Sequence, residues 1–187
     1  MNGKPVEASP RVILKNQIKR LKKQNLTMKS GVECEYFLIS PDGSSIADPR
    51  DTQSKPCYDQ SALMRRYDLI KEICDCMIDM GWGPYQNDHE DANGQFEMNW
   101  EFDDSMATAD KHSFFKFMTK SVAEKHGYRA TFMPKPIAGL TGNGCHVHIS
   151  VWDKPGASAK TNVFATKPSS ENQTSELGLS ENGRHFL

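Results

Sequence analysis

The first regular pattern of apolar and polar positions in the chain is helical and lies near its beginning. Ser9 and Pro10 are typical of a helix N-cap followed by the first helical residue. After them, apolar side chains recur every three or four residues, at Ile13, Leu14, Ile18 and Leu21. This spacing predicts an amphipathic helix over residues 10–24.

Between residues 30 and 40 the pattern changes from helical to alternating. The sequence SGVECEYFLIS has the length and the composition of a strand. The following SPDGSS contains an Asp-Gly pair, which predicts a turn. Residues 45–58 show no period and predict a loop.

Two longer helices are predicted in the middle of the chain. Asp59 is the expected N-cap of a helix over residues 60–80, which carries one apolar stripe and ends at Gly81. A second helix is expected to begin at Thr108 and to end at Gly127.

Three further strands are predicted around and after the second helix. The sequence QFEMNWEF, residues 95–102, alternates between an apolar and a polar face. The apolar face comprises Phe96, Met98, Trp100 and Phe102, and the polar face Gln95, Glu97, Asn99 and Glu101. The sequences ATFMPKP and CHVHISVW are the other two candidates, and a long polar loop is expected from Asp153 onward. Strands that alternate with two strong helices indicate an α+β or α/β fold.

Composition limits the class of protein. The 187 residues fit one domain or a large piece of a bigger protein, and the apolar fraction of 37% is low for a self-contained domain. Five cysteines without paired CxxC spacing favour a reducing compartment. The chain has no signal-peptide pattern and no apolar stretch of membrane-spanning length, so a cytoplasmic protein without membrane contact is expected.

Charge gives little support for a nucleic-acid partner. The net charge is −1, so no overall attraction to nucleic acid is expected. One face of the first helix is nevertheless basic, which fits either a solvated surface or a nucleic-acid contact. Its residues are Arg11, Lys15, Lys19, Arg20, Lys22 and Lys23.

Two pairs of glutamates could bind a cation. On a strand, Glu33 and Glu35 share one face about 6.6 Å apart, where two carboxylates repel each other unless water or cations cover them. Glu90 and Glu97 flank a predicted turn at Asn93-Gly94 that could bring both carboxylates to one site. For each pair the alternative is an ordinary solvated surface.

His146 and His148 also share one strand face, which is a common spacing for metal ligands. Together with four glutamates they favour Mg²⁺ or Mn²⁺ over Zn²⁺. Divalent ions held by carboxylates commonly bind nucleotide phosphates. The preceding GLTGNG does not match a P-loop, so its glycines either let the backbone approach a substrate or form a simple turn.

In this order, four motifs of the chain resemble the catalytic domain of the glutamine synthetase family. They are GVECEYFL at 31–38, HEDANGQFE at 89–97, HGYRATFMPKP at 126–136 and GNGCHVHISVW at 142–152. The resemblance runs from about Ser9 to the C-terminus. It implies an α+β fold with an antiparallel-rich sheet and flanking helices, of the guanido-kinase-like type. Residues 1–8 are expected to be a disordered N-terminus, and residues 9–187 the N-terminal portion of the catalytic domain.

The resemblance also implies a reaction and a set of roles. Family members are homo-oligomers that join glutamate to an amine at the expense of ATP, through a γ-glutamyl phosphate, with Mg²⁺ or Mn²⁺ ions. By resemblance, Glu35, Glu90 and Glu97 would bind one ion, and Glu33 and His146 a second. His148 and Ser150 would contact ATP, and Gly142 would contact glutamate. The family's usual Asn before that glycine is replaced by Thr141, so a glutamate contact from this side chain is not implied.

The resemblance leaves three functional alternatives. The family's N-terminal β-domain and C-terminal half, which carries further active-site residues, have no counterpart in the chain, so the chain is expected to be a fragment or a truncated reading frame without ligase activity of its own. Its amino-acid sequence is similar to those of the branch that contains GlnT-like synthetases and glutamate–methylamine ligases. Members of this branch differ in whether they accept ammonia or methylamine. A fragment that binds only metal or nucleotide is the third alternative.

Overall fold

The computed structural model of the chain describes residues 3–154, 161–165 and 178–186. In chain order its elements are α1 (Pro10–Lys23), β1 (Leu26–Ile39), α2 (Gln60–Met64), α3 (Tyr67–Asp79), β2 (Pro84–His89), β3 (Gln95–Trp100), β4 (Asp103–Asp104), α4 (Ser105–Lys125), β5 (Arg129–Thr131), β6 (Cys145–Asp153) and α5 (Glu181–Phe186). They form two units. The first comprises residues 1–30, 103–109 and 148–187, and the second residues 31–102 and 110–147.

The first unit contains α1 and the beginning of β1. Helix α1 confirms the predicted helix almost to the residue, with Ser9 in extended conformation before it. Residues 29–30 of β1 pair with β4 in antiparallel register. The Ser105 hydroxyl donates to the carbonyl of Met28 at 2.6 Å. The Thr108 hydroxyl donates to the backbone carbonyl of Ser30, also at 2.6 Å. Helix α4 begins at Ser105, so the predicted start at Thr108 was wrong. The Thr108 hydroxyl binds the strand instead of capping the helix.

The second unit is built around β1, whose pairings with β3 and β5 are antiparallel, as predicted for the sheet. Residues 34–37 of β1 pair with β3, and β3 pairs in turn with β2, both antiparallel. Residues 37–39 of β1 pair antiparallel with β5, and β6 also pairs with β1. The α+β fold is thereby confirmed. Strands β2 and β4 were not predicted, because their sequences are polar and lack alternation.

The predicted helix over residues 60–80 is two helices, α2 and α3. Asp59 caps the first as predicted, since its carboxylate accepts from the backbone N–H of Ser61 at 2.9 Å. The break falls at Arg65 and Arg66, where Arg66 has φ −115° and ψ 15°. Both arginine side chains bind the buried carboxylate of Asp48, which holds the loop against the break. A tertiary ion pair thus interrupts an otherwise continuous helical pattern.

The apolar face of the predicted strand QFEMNWEF lies in the core. Phe96, Met98 and Trp100 pack with Tyr36 and Phe115 in the main hydrophobic cluster. The opposite face of β3 is also buried, at Gln95, Glu97 and Asn99. Phe102, predicted on the apolar face, lies beyond the end of β3 and is 58% exposed. A strand with polar side chains buried on one face is unusual unless those side chains have partners.

The remaining predictions fall near the observed elements. The strand predicted from ATFMPKP is short, because β5 ends at Thr131. Strand β6 confirms the one predicted from CHVHISVW. The predicted loop after Asp153 lies largely outside the described residues, although α5 forms a short helix within it. None of the helices in the described residues is long and apolar enough to cross a membrane.

Candidate metal centre

A row of carboxylates crosses three neighbouring strands of the second unit. Glu97 in β3 stands directly opposite Glu35 in β1 on one side and Asp88 in β2 on the other. Side chains that are paired across antiparallel strands have Cβ atoms only ~4.5–5.5 Å apart, and like charges in this position destabilise a sheet. The register therefore concentrates three negative charges that require compensation.

Glu90 joins this row from the end of β2. One carboxylate oxygen each from Asp88, Glu90 and Glu97 lies within 4.8 Å of the others. Glu90 is held there by its backbone N–H, which donates to the carbonyl of Gln95 at 2.9 Å. The sequence predicted Glu90 and Glu97 at one site. It missed Asp88, although its spacing of two residues from Glu90 was a usable signal.

Glu35 is oriented by neutral donors. Its Oε2 accepts from the side-chain amide of Gln95 at 2.7 Å. The same oxygen accepts from the backbone N–H of Gly144 at 3.0 Å. Gln95 is fully buried, and its amide also donates to the carbonyl of Gly142 at 3.0 Å. Gln95 thus ties β3 to the glycine-rich segment and fixes Glu35, a role that the sequence did not predict.

Burial, together with repulsion from neighbouring carboxylates, raises the pKa of two acids in the cluster. Burial, followed by the charges of Glu97, Glu35 and Asp88, raises the pKa of Glu90 to about 7. Burial likewise raises the pKa of Glu97, against a hydrogen bond from Asn99 that lowers it. A raised carboxylate pKa means that the charged form lacks compensation, which a divalent cation supplies.

Glu33 and His146 form a second, more exposed group. The Nδ1 atom of His146 lies 3.1 Å from Oε2 of Glu33. This contact is the main reason that the pKa of His146 is raised, with smaller contributions from Glu35 and Glu97. The predicted ligands Glu33, Glu35, Glu97 and His146 therefore act on one another electrostatically.

The glycine-rich segment approaches the protein's own groups closely. A Cβ on Gly142 would lie 2.4 Å from the carbonyl oxygen of Pro134, and one on Gly144 would lie 2.7 Å from Oε1 of Glu35. Thr141 donates to Asp91 at 2.6 Å. Asn143 donates to the carbonyl of Met133 at 2.9 Å. The segment is thus a tightly packed support behind Glu35.

His148 and Ser150, for which an ATP contact was predicted, lie in the first unit. His148 is exposed, and the hydroxyl of Ser150 accepts from the indole N–H of Trp152 at 2.8 Å. Strand alternation places both side chains on the face of β6 that also carries His146. Their contact with a nucleotide stays a prediction.

A buried histidine–aspartate pair supports the backbone of Glu90. His89 and Asp51 are 0% and 3% exposed, and Nε2 of His89 lies 2.7 Å from Oδ2 of Asp51. The other ring nitrogen, Nδ1, lies 2.9 Å from the carbonyl oxygen of Glu90. Asp51 also accepts from the backbone N–H of Gly94 at 2.6 Å. The pair therefore fixes both ends of the turn between Glu90 and Gln95.

The donor atoms of this centre suit a hard divalent cation. Carboxylate oxygens are the ligands that Mg²⁺ and Mn²⁺ prefer, and a single histidine is compatible with either ion. The acids come from separate strands, and Glu35 and Glu97 are each held by an amide donor.

Comparison with known proteins identifies the family. A family profile described as "Glutamine synthetase, catalytic domain" matches residues 7–187. The chain belongs to the glutamine synthetase family. A glutamine synthetase of Rhizobium meliloti is 64% identical over all 187 residues, which cover 41% of that protein. A glutamate–methylamine ligase of Methyloversatilis universalis is 39% identical over 89% of the chain and 37% of its own length.

The fold is shared with solved structures of the family. A structure described as "Apo GmaS without ligand" is 60% identical to this chain, with a TM-score of 0.87 over 96% of the chain and 40% of the solved one. The chain therefore spans about two fifths of the length of these relatives. The resemblance drawn from the four sequence motifs is confirmed.

Proposed function

We propose that the carboxylate centre binds Mg²⁺ or Mn²⁺ as part of an ATP-dependent ligase that joins glutamate to an amine. The observation that carries the proposal is the register that sets Asp88, Glu97 and Glu35 side by side on three strands. Uncompensated, this row would destabilise the sheet. A bound divalent cation turns the same row into a stabilising feature and offers a positive charge for phosphate oxygens.

Within the reaction, the side-chain carboxylate of glutamate attacks the γ-phosphorus of ATP, and ADP leaves. The nitrogen of the amine then attacks the acyl carbon, phosphate leaves, and the amine loses a proton. Divalent cations would neutralise the negative charge of the phosphates while the γ-phosphoryl group is transferred. The task of Glu33, Glu35, Glu90, Glu97 and His146 is to hold those cations. Buried Gln95 and the amide of Gly144 donate to Glu35 and would hold its carboxylate in place to bind them.

The roles of the other predicted residues follow the family resemblance. His148 and Ser150 would contact ATP, and the backbone of Gly142 would contact glutamate. Gly142 has its carbonyl bound by Gln95 at 3.0 Å, so it is held rigidly against the glutamate-bearing strand. Residues 9–187 would be the N-terminal portion of the catalytic domain in a homo-oligomeric cytoplasmic enzyme.

Metal titration of the chain tests the centre directly. Calorimetric titration with Mn²⁺ should show weaker binding for both Glu33→Ala and His146→Ala, because each change removes one predicted ligand. His148→Ala should leave Mn²⁺ affinity unchanged and weaken only ATP binding. His126→Ala is the matched control, since this histidine binds Glu72 at 2.9 Å outside the centre. Unchanged Mn²⁺ affinity in both ligand variants would contradict the proposal.

A chimera tests the ligase reaction and the amine. The 187 residues can replace the matched 41% of the Rhizobium meliloti protein. The chimera should form glutamine from glutamate, ATP and ammonia, and Glu97→Gln should abolish this activity. A chimera that binds Mn²⁺ and ATP without turnover would instead favour a binding fragment.

A second candidate activity is ligation of methylamine, favoured by the 39% identity to a glutamate–methylamine ligase. The same chimera, assayed with ammonia and with methylamine, gives the ratio of the two kcat/KM values, which measures amine preference. We expect ammonia to be preferred, in keeping with the 64% identical relative. The 187-residue chain assayed alone is expected to bind metal without ligase turnover.

A further inference from the structure

On the opposite face of β1 and β6 from the carboxylates lies a second group of metal-ligating side chains. Cys34, His112 and Cys145 each offer one ligand atom, and these three atoms lie within 4.8 Å of one another. Cys34 faces the same side as Met98, its partner in β3, whereas Glu33 and Glu35 face the other side. The group takes no part in the proposed ligase chemistry.

We propose that Cys34, His112 and Cys145 form a binding site for Zn²⁺, separate from the carboxylate centre. Two thiolates and one imidazole are soft or borderline ligands that select Zn²⁺ over Mg²⁺ or Mn²⁺. Three protein ligands with an open fourth position are a known zinc arrangement. Cys145 is exposed, which gives an ion and a fourth, water ligand access to the site.

The geometry is close to that of a bound ion. With Zn–S bonds of about 2.3 Å and a Zn–N bond of about 2.0 Å, a tetrahedral site holds its ligand atoms roughly 3.5–3.8 Å apart. The observed separations, all within 4.8 Å, would therefore have to shorten by at most about 1.3 Å. Cys145 is exposed, so rotation of its side chain can bring its sulfur closer to the other two ligand atoms.

His112 has a buried ring nitrogen that no other group of the described residues binds. Its Nδ1 atom is buried and has no hydrogen-bond partner among the described residues. An orphaned buried nitrogen costs free energy unless a partner occupies its lone pair or accepts its proton. Burial lowers the pKa of His112, which favours the neutral imidazole that binds metals.

Cys34 explains why the site should prefer an ion with high thiolate affinity. Cys34 is only 1% exposed, so its sulfur is shielded from water. A metal ion bound here would take the thiolate form and release the thiol proton. Zn²⁺ binds thiolates strongly enough to do so, whereas the hard ions of the carboxylate centre do not.

Cobalt substitution tests the site in the full chain under reducing conditions, with excess Mn²⁺ present to occupy the carboxylates. One equivalent of Co²⁺ should produce a thiolate-to-cobalt charge-transfer band that one equivalent of Zn²⁺ removes. Cys145→Ser and His112→Gln should weaken Zn²⁺ binding at least about tenfold. Cys57→Ser, which also removes an exposed thiol, should leave the band and the affinity unchanged.

Three results would overturn the proposal: no charge-transfer band in the wild-type chain, an unchanged band in Cys145→Ser, or an equal loss in Cys57→Ser. Circular dichroism of Cys145→Ser checks that its exposed position tolerates the change. Glu97→Gln should retain full Zn²⁺ affinity while losing Mn²⁺. The two sites, and the two proposals, can therefore fail independently.

Discussion

Glu97→Gln is expected to stabilise the metal-free chain and at the same time to abolish its binding of Mn²⁺. Glu97 is 8% exposed and stands between Glu35 and Asp88 on the two neighbouring strands. A neutral amide of nearly the same shape removes both cross-strand repulsions, each worth roughly 0.2–1 kcal/mol. The bond from Asn99 to Oε1, at 2.8 Å, can still form with a glutamine.

The metal-binding loss should be much larger than the gain in stability. Removal of a central ligand is expected to weaken Mn²⁺ binding by more than the ~10–100-fold that changes to supporting groups cause. Urea unfolding without metal and calorimetric titration with Mn²⁺ measure the two effects. Glu101→Gln, which removes one charge beyond the end of β3, is the control and should change neither. A less stable Glu97→Gln chain would refute the idea that these carboxylates repel one another.

The pH dependence of stability provides a further test of the same repulsion. The pKa of Glu90 is raised from 4.5 to about 7, so the folded chain holds this proton more tightly than the unfolded chain does. The corresponding contribution to stability is complete below pH 4.5 and is lost as the pH rises through about 7. Saturating Mn²⁺ should abolish this loss, since the cation then takes the place of the proton.

His89→Ala is expected to lower the free energy of unfolding by about 3–5 kcal/mol. This change leaves the carboxylate of Asp51 buried without its partner at 2.7 Å. It also removes the support of the Glu90 carbonyl, so a weaker Mn²⁺ site should accompany the lower stability. For a domain whose total stability is about 5–15 kcal/mol, the loss is large.

His126→Ala is the natural comparison for this measurement. His126 also faces an acid, Glu72 at 2.9 Å, but both side chains are partly exposed. Exposed ion pairs contribute only about 0–1 kcal/mol, so a small change in urea unfolding is expected. A similar loss in both variants would show that burial of the Asp51–His89 pair is not what makes it important. Asp51→Asn combined with His89→Ala should cost less than the sum of the single changes.

Local chemistry explains which elements the sequence could predict. Helix α1 follows from Ser9, Pro10 and a helical apolar period, all of which act within a few residues. The turns at Gly43 and Gly94 have φ values of 78° and 76°, which glycine adopts without strain. The strand at Glu33–Glu35 and the one at Glu97 follow from alternation alone.

Long-range contacts explain what the sequence could not predict. Asp48, more than ten residues earlier in the chain, binds Arg65 and Arg66 and divides the predicted helix into α2 and α3. Strand β2 has no apolar alternation, and only its pairing with β3 makes it a strand. Gln95 was missed as a member of the site because no local pattern marks it. Asp88 was missed because it lies in a strand that was not predicted, although it stands two residues from Glu90.

The sequence by itself determined which residues can carry the chemistry, namely four glutamates and two histidines in the order typical of one family. Glu33 and Glu35 share a strand face, as do His146 and His148, and Glu90 and Glu97 flank one turn. Spacing along a strand is a local property, so it can be deduced without the fold. Only the tertiary structure decided that Glu35, Glu97 and Asp88 form one row, because strand register depends on pairing between distant segments. The same register placed Cys34 behind that row, beside His112 and Cys145.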